Sequence, residues 1–277
     1  MSKINKISKI RGLEAEKIWD YENGFYWFSE NSRINKILSH YELYKSIVNI
    51  PGHLIELGVY KAASLLRFAT FRDSLENNYS RKIIGFDTFG AFPSEKLKSE
   101  NDINFIENFE KVGGDGLSLD EVNNLFESKG FKNFDLVKGN VFDTLPTYLK
   151  KNPETRIALL SLDMDVKEPT DFALELLYER IVPGGLIIFD DYNDANGETN
   201  SADEFVKKIQ LIIVKRKEER VRDVSAFWSP LTRLFPEGQN SMDEKEFRHD
   251  GQRIATSLDF DLPAVSSSEI RKGKSKT

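Results

Sequence analysis

Residues 157–194 read IALLSLDMDVKEPTDFALELLYERIVPGGLIIFDDYND, and they decide the fold. The apolar run 157–162 predicts a short buried strand that ends in Asp163 and Asp165. From about 170 to 181, Phe172, Leu176 and Leu177 recur at helical spacing. Pro183-Gly184-Gly185 breaks the pattern, and 186–189 is a second apolar strand ending at Asp190-Asp191. Strand, helix and strand form a β-α-β unit, whose right-handed crossover leaves both strands parallel with their carboxyl ends on one edge. Open α/β sheets bind ligands at that edge. Four carboxylates meeting there repel one another unless a proton or a cation intervenes, and an oxygen-rich set suits Mg²⁺ or a similar hard divalent ion. A single Asp at a strand end is more often a turn former or a cap, which is the reading for Asp171 and Asp194. Two acidic pairs on consecutive parallel strands point to function.

Upstream the same alternation repeats. Residues 54–57, LIEL, form the first clear strand after Pro51-Gly52, and a helix is predicted over about 62–75. Between them lies VYKAAS, with Gly58 before the turn and Ser64 near the helix start. Backbone N–H groups at such a start favour an anionic ligand group, here a carboxylate. The turn is neither a three-glycine dinucleotide fingerprint nor a P-loop. Strand 82–86 ends at Asp87, an acidic residue placed to accept hydrogen bonds from ribose hydroxyls. Glu56 and Asp87 therefore form a candidate nucleoside-binding pair. Residues 91–116 are polar and glycine-bearing, an irregular insertion of the kind that serves as a lid. Ser118 and Glu121 form a capping box for a helix reaching Lys129. Strand 134–138 runs into Gly139-Asn140-Val141, and 144–150 returns as a helix. Strand and helix alternate from 54 to 189, which predicts an α/β fold: a mostly parallel twisted sheet with helices on both faces.

The 277 residues divide into an N-terminal helical extension (1–50), a main domain (51–236) and a polar, disordered tail (237–277). The extension carries an amphipathic helix over about 32–48 and the aromatic run GFYWFS at 24–29, expected to pack on the core. Exposed aromatics there would favour a homo-oligomer. Residues 201–214 fit a helix, and 211–214 fit a further strand. A net charge of −6 and a pI near 5.4 argue against nucleic acid as the main partner. There is no cysteine, hence no disulfide and no thiolate chemistry. No apolar run approaches the roughly 18 residues of a membrane span, and a cytoplasmic location is expected. His40, His53 and His249 show no ligand spacing, and a structural role is expected for His40.

Five ordered segments, IELGVYKAAS, IGFDTFGAFP, VKGNVFDTLP, LDMDVKEPT and VPGGLIIFDDY, together resemble the macrocin O-methyltransferase family over roughly residues 41–205. That family uses S-adenosylmethionine to methylate sugar hydroxyls on a Rossmann-like class I methyltransferase sheet. The resemblance implies that Glu56, Gly58, Tyr60 and Ser64 line the amino-acid end of the cofactor, with Asp87 at the ribose and Asn140 and Val141 beside the pocket. It implies Mg²⁺ on Asp163, Asp190 and Asp191, Asp165 as general base, and a sugar or nucleotide-sugar acceptor. Two departures stand out: Lys167 occupies a position usually held by tyrosine, and the sequence after Phe205 does not follow the family's closing strands. Two other functions fit part of the pattern. The D-x-D of Asp163 and Asp165 resembles the nucleophile loop of haloacid-dehalogenase-type phosphatases, and a methyltransferase scaffold can serve as a binding protein without catalysis.

Overall fold

Apolar strands and amphipathic helices close into one six-stranded sheet covered on both faces. The computed structural model describes residues 7–93, 97–192, 195–217 and 253–256, with the backbone alone for 209–217 and 253–256. A small hairpin, β1 (Lys9–Ile10) and β2 (Leu13–Glu14), precedes α1 (Ile18–Phe28) and α2 (Asn31–Ser46). There follow β3 (His53–Leu57), α3 (Ala63–Leu75), β4 (Ile83–Asp87), α4 (Glu100–Gly113), α5 (Leu119–Ser128), β5 (Phe134–Lys138) and α6 (Val141–Lys151). The chain then forms β6 (Ile157–Leu162), α7 (Lys167–Leu177), β7 (Ile181–Phe189), α8 (Asn196–Lys217) and β8 (Arg253–Thr256).

The strand order is β5-β4-β3-β6-β7-β8; the first five strands are parallel and β8 runs antiparallel to β7. Successive residues of a strand face opposite sides, so Leu54 joins α2, α3 and α5 on one face while Ile55 and Leu57 join α6 and α7 on the other. Leu43 and Tyr44 of α2 and its C-cap Ile47 belong to the first core, so that helix is structurally part of the sheet's cover. The strand order reverses between β3 and β6, and ligands of such sheets bind at that switch point, beyond the carboxyl ends.

Several expectations change. Pro183-Gly184-Gly185 does not precede the second acidic strand but lies inside β7, as a bulge between the Ile157–Ile181 and Leu159–Leu186 pairings. The insertion 91–116 contains α4, started by Ser99, whose hydroxyl accepts from the Asp102 N–H. The aromatics of 24–29 lie on or beside α1, none of whose residues is buried, and Trp27 is 70% and Phe28 84% exposed, so they do not pack on the core. Residues 211–214 are helical, within α8. The antiparallel strand comes instead from 253–256, inside the stretch expected to be tail; the other residues of 237–277 and Asp194 lie outside the described residues.

Candidate functional site

Three strands hand their ends directly to the site. The Gly58 N–H donates to the Phe86 carbonyl at 2.9 Å, the Asp163 N–H to Leu57 at 2.9 Å and the Asp190 N–H to Leu162 at 3.0 Å. Gly58 has φ +90°, and a Cβ on it would sit 1.6 Å from the Asp163 carbonyl oxygen. Only glycine allows β3 and β6 to part this closely. The turn that follows is strained, with Tyr60 at φ 48° and Ala62 at φ 59°. Asp87 holds it: Oδ2 accepts from the Val59 and Tyr60 N–H groups at 2.7 and 2.9 Å, and Oδ1 accepts from the Phe89 N–H at 2.5 Å. The Thr88 hydroxyl also stands 3.4 Å from Oδ1 but donates more closely to the Ala91 carbonyl at 3.0 Å; of about four acceptor positions on a carboxylate, Asp87 thus keeps about one for a ribose hydroxyl.

Beside this turn lies a cavity of about 370 Å³, lined among others by Gly58, Tyr60, Ser64, Asp87, Asn140 and Val141. That volume suits a small-molecule site. Glu56, the remaining cofactor residue expected from sequence, stands behind Ser64, whose hydroxyl donates to Glu56 Oε1 at 3.0 Å. Its Oε2 is buried without a partner among the described residues. Burial pushes the Glu56 carboxyl up to about 8, with Asp190 and Asp87 adding to the effect and the Ser64 hydrogen bond opposing it. An orphaned carboxylate oxygen of this kind fits an ammonium group, and the N–H groups at the start of α3 fit the carboxylate of the same amino acid. The Asn140 side chain caps α6 by accepting from the Phe142 N–H at 3.1 Å.

On the wall of the same cavity, oxygens of Asp163, Asp165 and Asp191 lie within 4.8 Å of one another. Asp165 takes φ 64°, a conformation that Asp tolerates better than most residues. Burial, followed by the charges of Asp190 and Asp191, raises Asp163 well above the usual carboxylate range. Burial, the Asp191 charge and a hydrogen bond between the two carboxyls do the same for Asp165. Two carboxyl groups hydrogen-bond only with a proton between them. Three converging acidic side chains, of which Asp163 and Asp165 favour the protonated form without a cation, are a donor set suited to a divalent ion.

Asp190, expected as a metal ligand, meets cations from the protein itself. Lys36 of α2 donates to its Oδ2, and His40 Nε2 lies 3.6 Å from its Oδ1. His40 Nδ1 is 3.0 Å from Arg67 Nη1. Arginine only donates, so Nδ1 is the acceptor and the proton of neutral His40 sits on Nε2, facing Asp190. Burial first, and then the Arg67 and Lys36 charges, lower the His40 pKa against the pull of Asp190. Burial opposes the Lys36 ammonium, but the Asp190, Asp163 and Asp191 charges outweigh it and hold its pKa above the ordinary lysine value. Burial would raise Asp190, yet His40 and Lys36 together hold it below the ordinary range. His40 also stacks on Phe68 at 4.9 Å, so its expected packing role is present as well.

Sequence reasoning missed Lys36; its signal was the four-residue spacing to His40, which puts both on one face of α2. It also missed how α4 and the glycines that end it are anchored. The Tyr60 hydroxyl donates to the Gly113 and Gly114 carbonyls at 2.7 and 3.1 Å, and Lys61 Nζ donates to Gly113 at 2.6 Å. At the other end of α4, Asp102 Oδ2 accepts from the Lys167 N–H at 3.1 Å. The Lys167 ammonium pairs with Asp171 at 3.0 Å and Glu204 at 2.7 Å.

Five parallel strands in this order, an antiparallel neighbour, a glycine turn after β3 and an acid at the end of β4 define the class I methyltransferase fold. The chain belongs to the macrocin-O-methyltransferase (TylF) family, whose sequence profile matches residues 32–229. This membership sets aside the phosphatase alternative. Among curated proteins it is 32% identical over 146 residues to the 8-demethyl-8-(2,3-dimethoxy-alpha-L-rhamnosyl)-tetracenomycin-C 4'-O-methyltransferase of Streptomyces olivaceus, covering 52% of this chain and 54% of that one. It is 27% identical over 188 residues to the demethyldecarbamoylnovobiocin O-methyltransferase of Streptomyces niveus, covering 59% and 61%. The chain thus spans between half and two thirds of these relatives. Two solved structures share the fold. A calicheamicin methyltransferase matches with TM-score 0.52, 22% identity and coverage of 87% and 86%. The O-methyltransferase NovP matches with TM-score 0.58, 19% identity and coverage of 82% and 81%.

Proposed function

We propose that this protein transfers a methyl group from S-adenosylmethionine to a hydroxyl of a sugar, glycoside or nucleotide sugar, with Mg²⁺ held by Asp163, Asp165 and Asp191. The observation that carries the reading is a single cavity that reaches from the Gly58 turn to this acidic trio. The orphaned oxygen of Glu56 would receive the cofactor's ammonium, the start of α3 its carboxylate, and the free acceptor position of Asp87 a ribose hydroxyl. Bound S-adenosylmethionine supplies an electrophilic methyl group. Bound Mg²⁺ supplies Lewis-acid charge that makes a weakly acidic sugar hydroxyl easier to deprotonate.

The chain's own residues do the rest. Asp165 stands at the cavity wall; ionised once a cation offsets its neighbours' charge, it would take the hydroxyl proton on the carboxylate oxygen not turned to the ion. Asp190, with both oxygens facing α2, is assigned to anchoring Lys36 rather than to ligating the ion. Phe92, Phe109 and Glu110 wall the cavity on the lid side, where they keep water from the reacting groups. Among the described residues no helix is long and apolar enough to cross a membrane, and none of the site groups calls for a nucleic acid.

Calorimetry with S-adenosylmethionine, with and without Mg²⁺, followed by methyl transfer to a panel of glycosides and nucleotide sugars, tests the proposal. We expect cofactor binding and chelator-sensitive transfer to at least one sugar. Failure to bind the cofactor, or an undiminished rate in strong chelator, would overturn it. Binding without transfer across the whole panel would favour a non-catalytic scaffold.

A further inference from the structure

We propose that Glu198 is a fourth carboxylate of the divalent-cation site, acting from behind Asp191 and Asp165 to supply charge and to hold both in position. The proposal rests on the reading of the acidic trio as an ion site and extends it to a residue outside the two acidic pairs.

Glu198 lies in the first turn of α8. Its backbone N–H donates to the Asp165 carbonyl at 3.3 Å, and its Oε1 accepts from the Asp191 N–H at 3.3 Å. One residue thus ties the loop after β6 to the loop after β7, the two loops that carry the trio. The approach is possible because Gly197 precedes it: a Cβ there would fall 2.6 Å from both the Lys167 N and Asp102 Oδ2. The Glu198 side chain is fully buried, and its Oε2 is without a hydrogen-bond partner among the described residues.

Packing does not explain the charge. A glutamine carbonyl would accept from the Asp191 N–H equally well, and it would avoid placing a further acid beside Asp191 and Asp165. The Lys36 ammonium is committed to Asp190, so it leaves Glu198 uncompensated. An acidic group in this position becomes favourable once a cation sits among Asp163, Asp165 and Asp191. Groups behind a ligand set orient the ligands and commonly change ion affinity ten- to a hundred-fold.

The test uses Mn²⁺ as the probe, followed by electron paramagnetic resonance of free Mn²⁺ and by calorimetry, on the full chain and on Glu198→Gln, Glu198→Ala and Glu204→Gln. We expect Glu198→Gln to weaken Mn²⁺ binding at least about tenfold while raising the Tm of the metal-free protein by about 2 °C or more. A residue that served packing alone would shift Tm downward and leave Mn²⁺ affinity unchanged. Glu204→Gln removes the same charge from an exposed position of α8 and should leave Mn²⁺ affinity unaltered. S-adenosylmethionine binding reports an intact fold in every variant, and Glu198→Ala should lose Mn²⁺ affinity whatever it does to Tm. Unchanged Mn²⁺ affinity in both Glu198 variants, or an equal loss in Glu204→Gln, overturns the assignment. If the parent protein fails to bind Mn²⁺ at millimolar concentration, the ion site itself is wrong and Glu198 falls with it.

Discussion

Glu56→Gln should change how the stability of the cofactor-free protein depends on pH. Burial lifts the folded-state pKa of Glu56 from an ordinary 4.5 to about 8. Between those values the folded protein holds a proton that the unfolded chain has released, so stability falls as pH rises through the window. At about 1.4 kcal/mol per pH unit, the gap between 4.5 and about 8 sets an upper bound of roughly 5 kcal/mol on the loss. Asp163, Asp165 and Glu198 are shifted the same way, so the parent's slope alone does not isolate Glu56. The difference between parent and variant does. Glutamine keeps an acceptor for the Ser64 hydroxyl and never ionises, so Glu56→Gln should gain on the parent steadily from pH 4.5 to pH 8. Urea unfolding at several pH values in chelator, without cofactor, measures that gain. S-adenosylmethionine should reverse the ranking at pH 8, because its ammonium then meets the ionised parent carboxylate but a neutral amide in the variant. A parent-to-variant difference that stays flat across the window would refute the assignment of a buried, protonated carboxyl behind Ser64.

Other substitutions probe the remaining supports. Gly58→Ala forces a Cβ against the Asp163 carbonyl at 1.6 Å and should cost roughly 4 kcal/mol or more, with loss of S-adenosylmethionine binding; thermal melts and calorimetry report both. Lys36→Met leaves Asp190 buried without its ammonium partner and should destabilise the metal-free protein by roughly 3 kcal/mol. The same change should tighten Mn²⁺ binding, since a like charge leaves the site; weaker Mn²⁺ binding would contradict Asp190's assignment. Tyr60→Phe removes the hydroxyl that donates to Gly113 and Gly114 at a cost of about 1 kcal/mol, and amide exchange should quicken over α4 while β3 and β6 keep their protection.

The sheet was legible because its strands are short apolar runs bounded by local turn chemistry. Ile157–Leu162 and Phe134–Lys138 are bounded in the structure as the pattern predicts, and the Ser118–Glu121 capping box is present. The site was legible where strand ends expose acidic residues. Three other features were not. Helix α4 carries Ile103, Ile106 and Phe109 at helical spacing, but the polar, glycine-bearing composition around them masks the period. Pro183-Gly184-Gly185 signals a break, and only pairing with β6 shows that the strand continues through it as a bulge. Lys36 reaches Asp190 across 154 residues of chain, a contact that no local pattern announces. Glu198 looks like an ordinary first-turn acid on a helix; its burial, which gives it meaning, comes from the docking of α8.

The acids around the cavity follow one electrostatic rule. Glu56 behind Ser64, and Glu198 behind Asp165 and Asp191, each keep a buried carboxyl oxygen with no partner among the described residues, while Asp163, Asp165 and Asp191 gather on the cavity wall. In a cation-free protein Glu56, Asp163, Asp165 and Glu198 favour the protonated form, because burial penalises their ionised form. On the function proposed above, each group of acids would receive positive charge, an ammonium beside Glu56 and a divalent ion among the aspartates. Asp190 is the exception that orders the rest. It is ionised, since Lys36 and His40 serve it, and its charge raises the pKa of both Glu56 and Asp163. Helix α2 thus does more than cover the sheet: by fixing one carboxylate as an anion, it sets the potential in which the other acids wait for their cations.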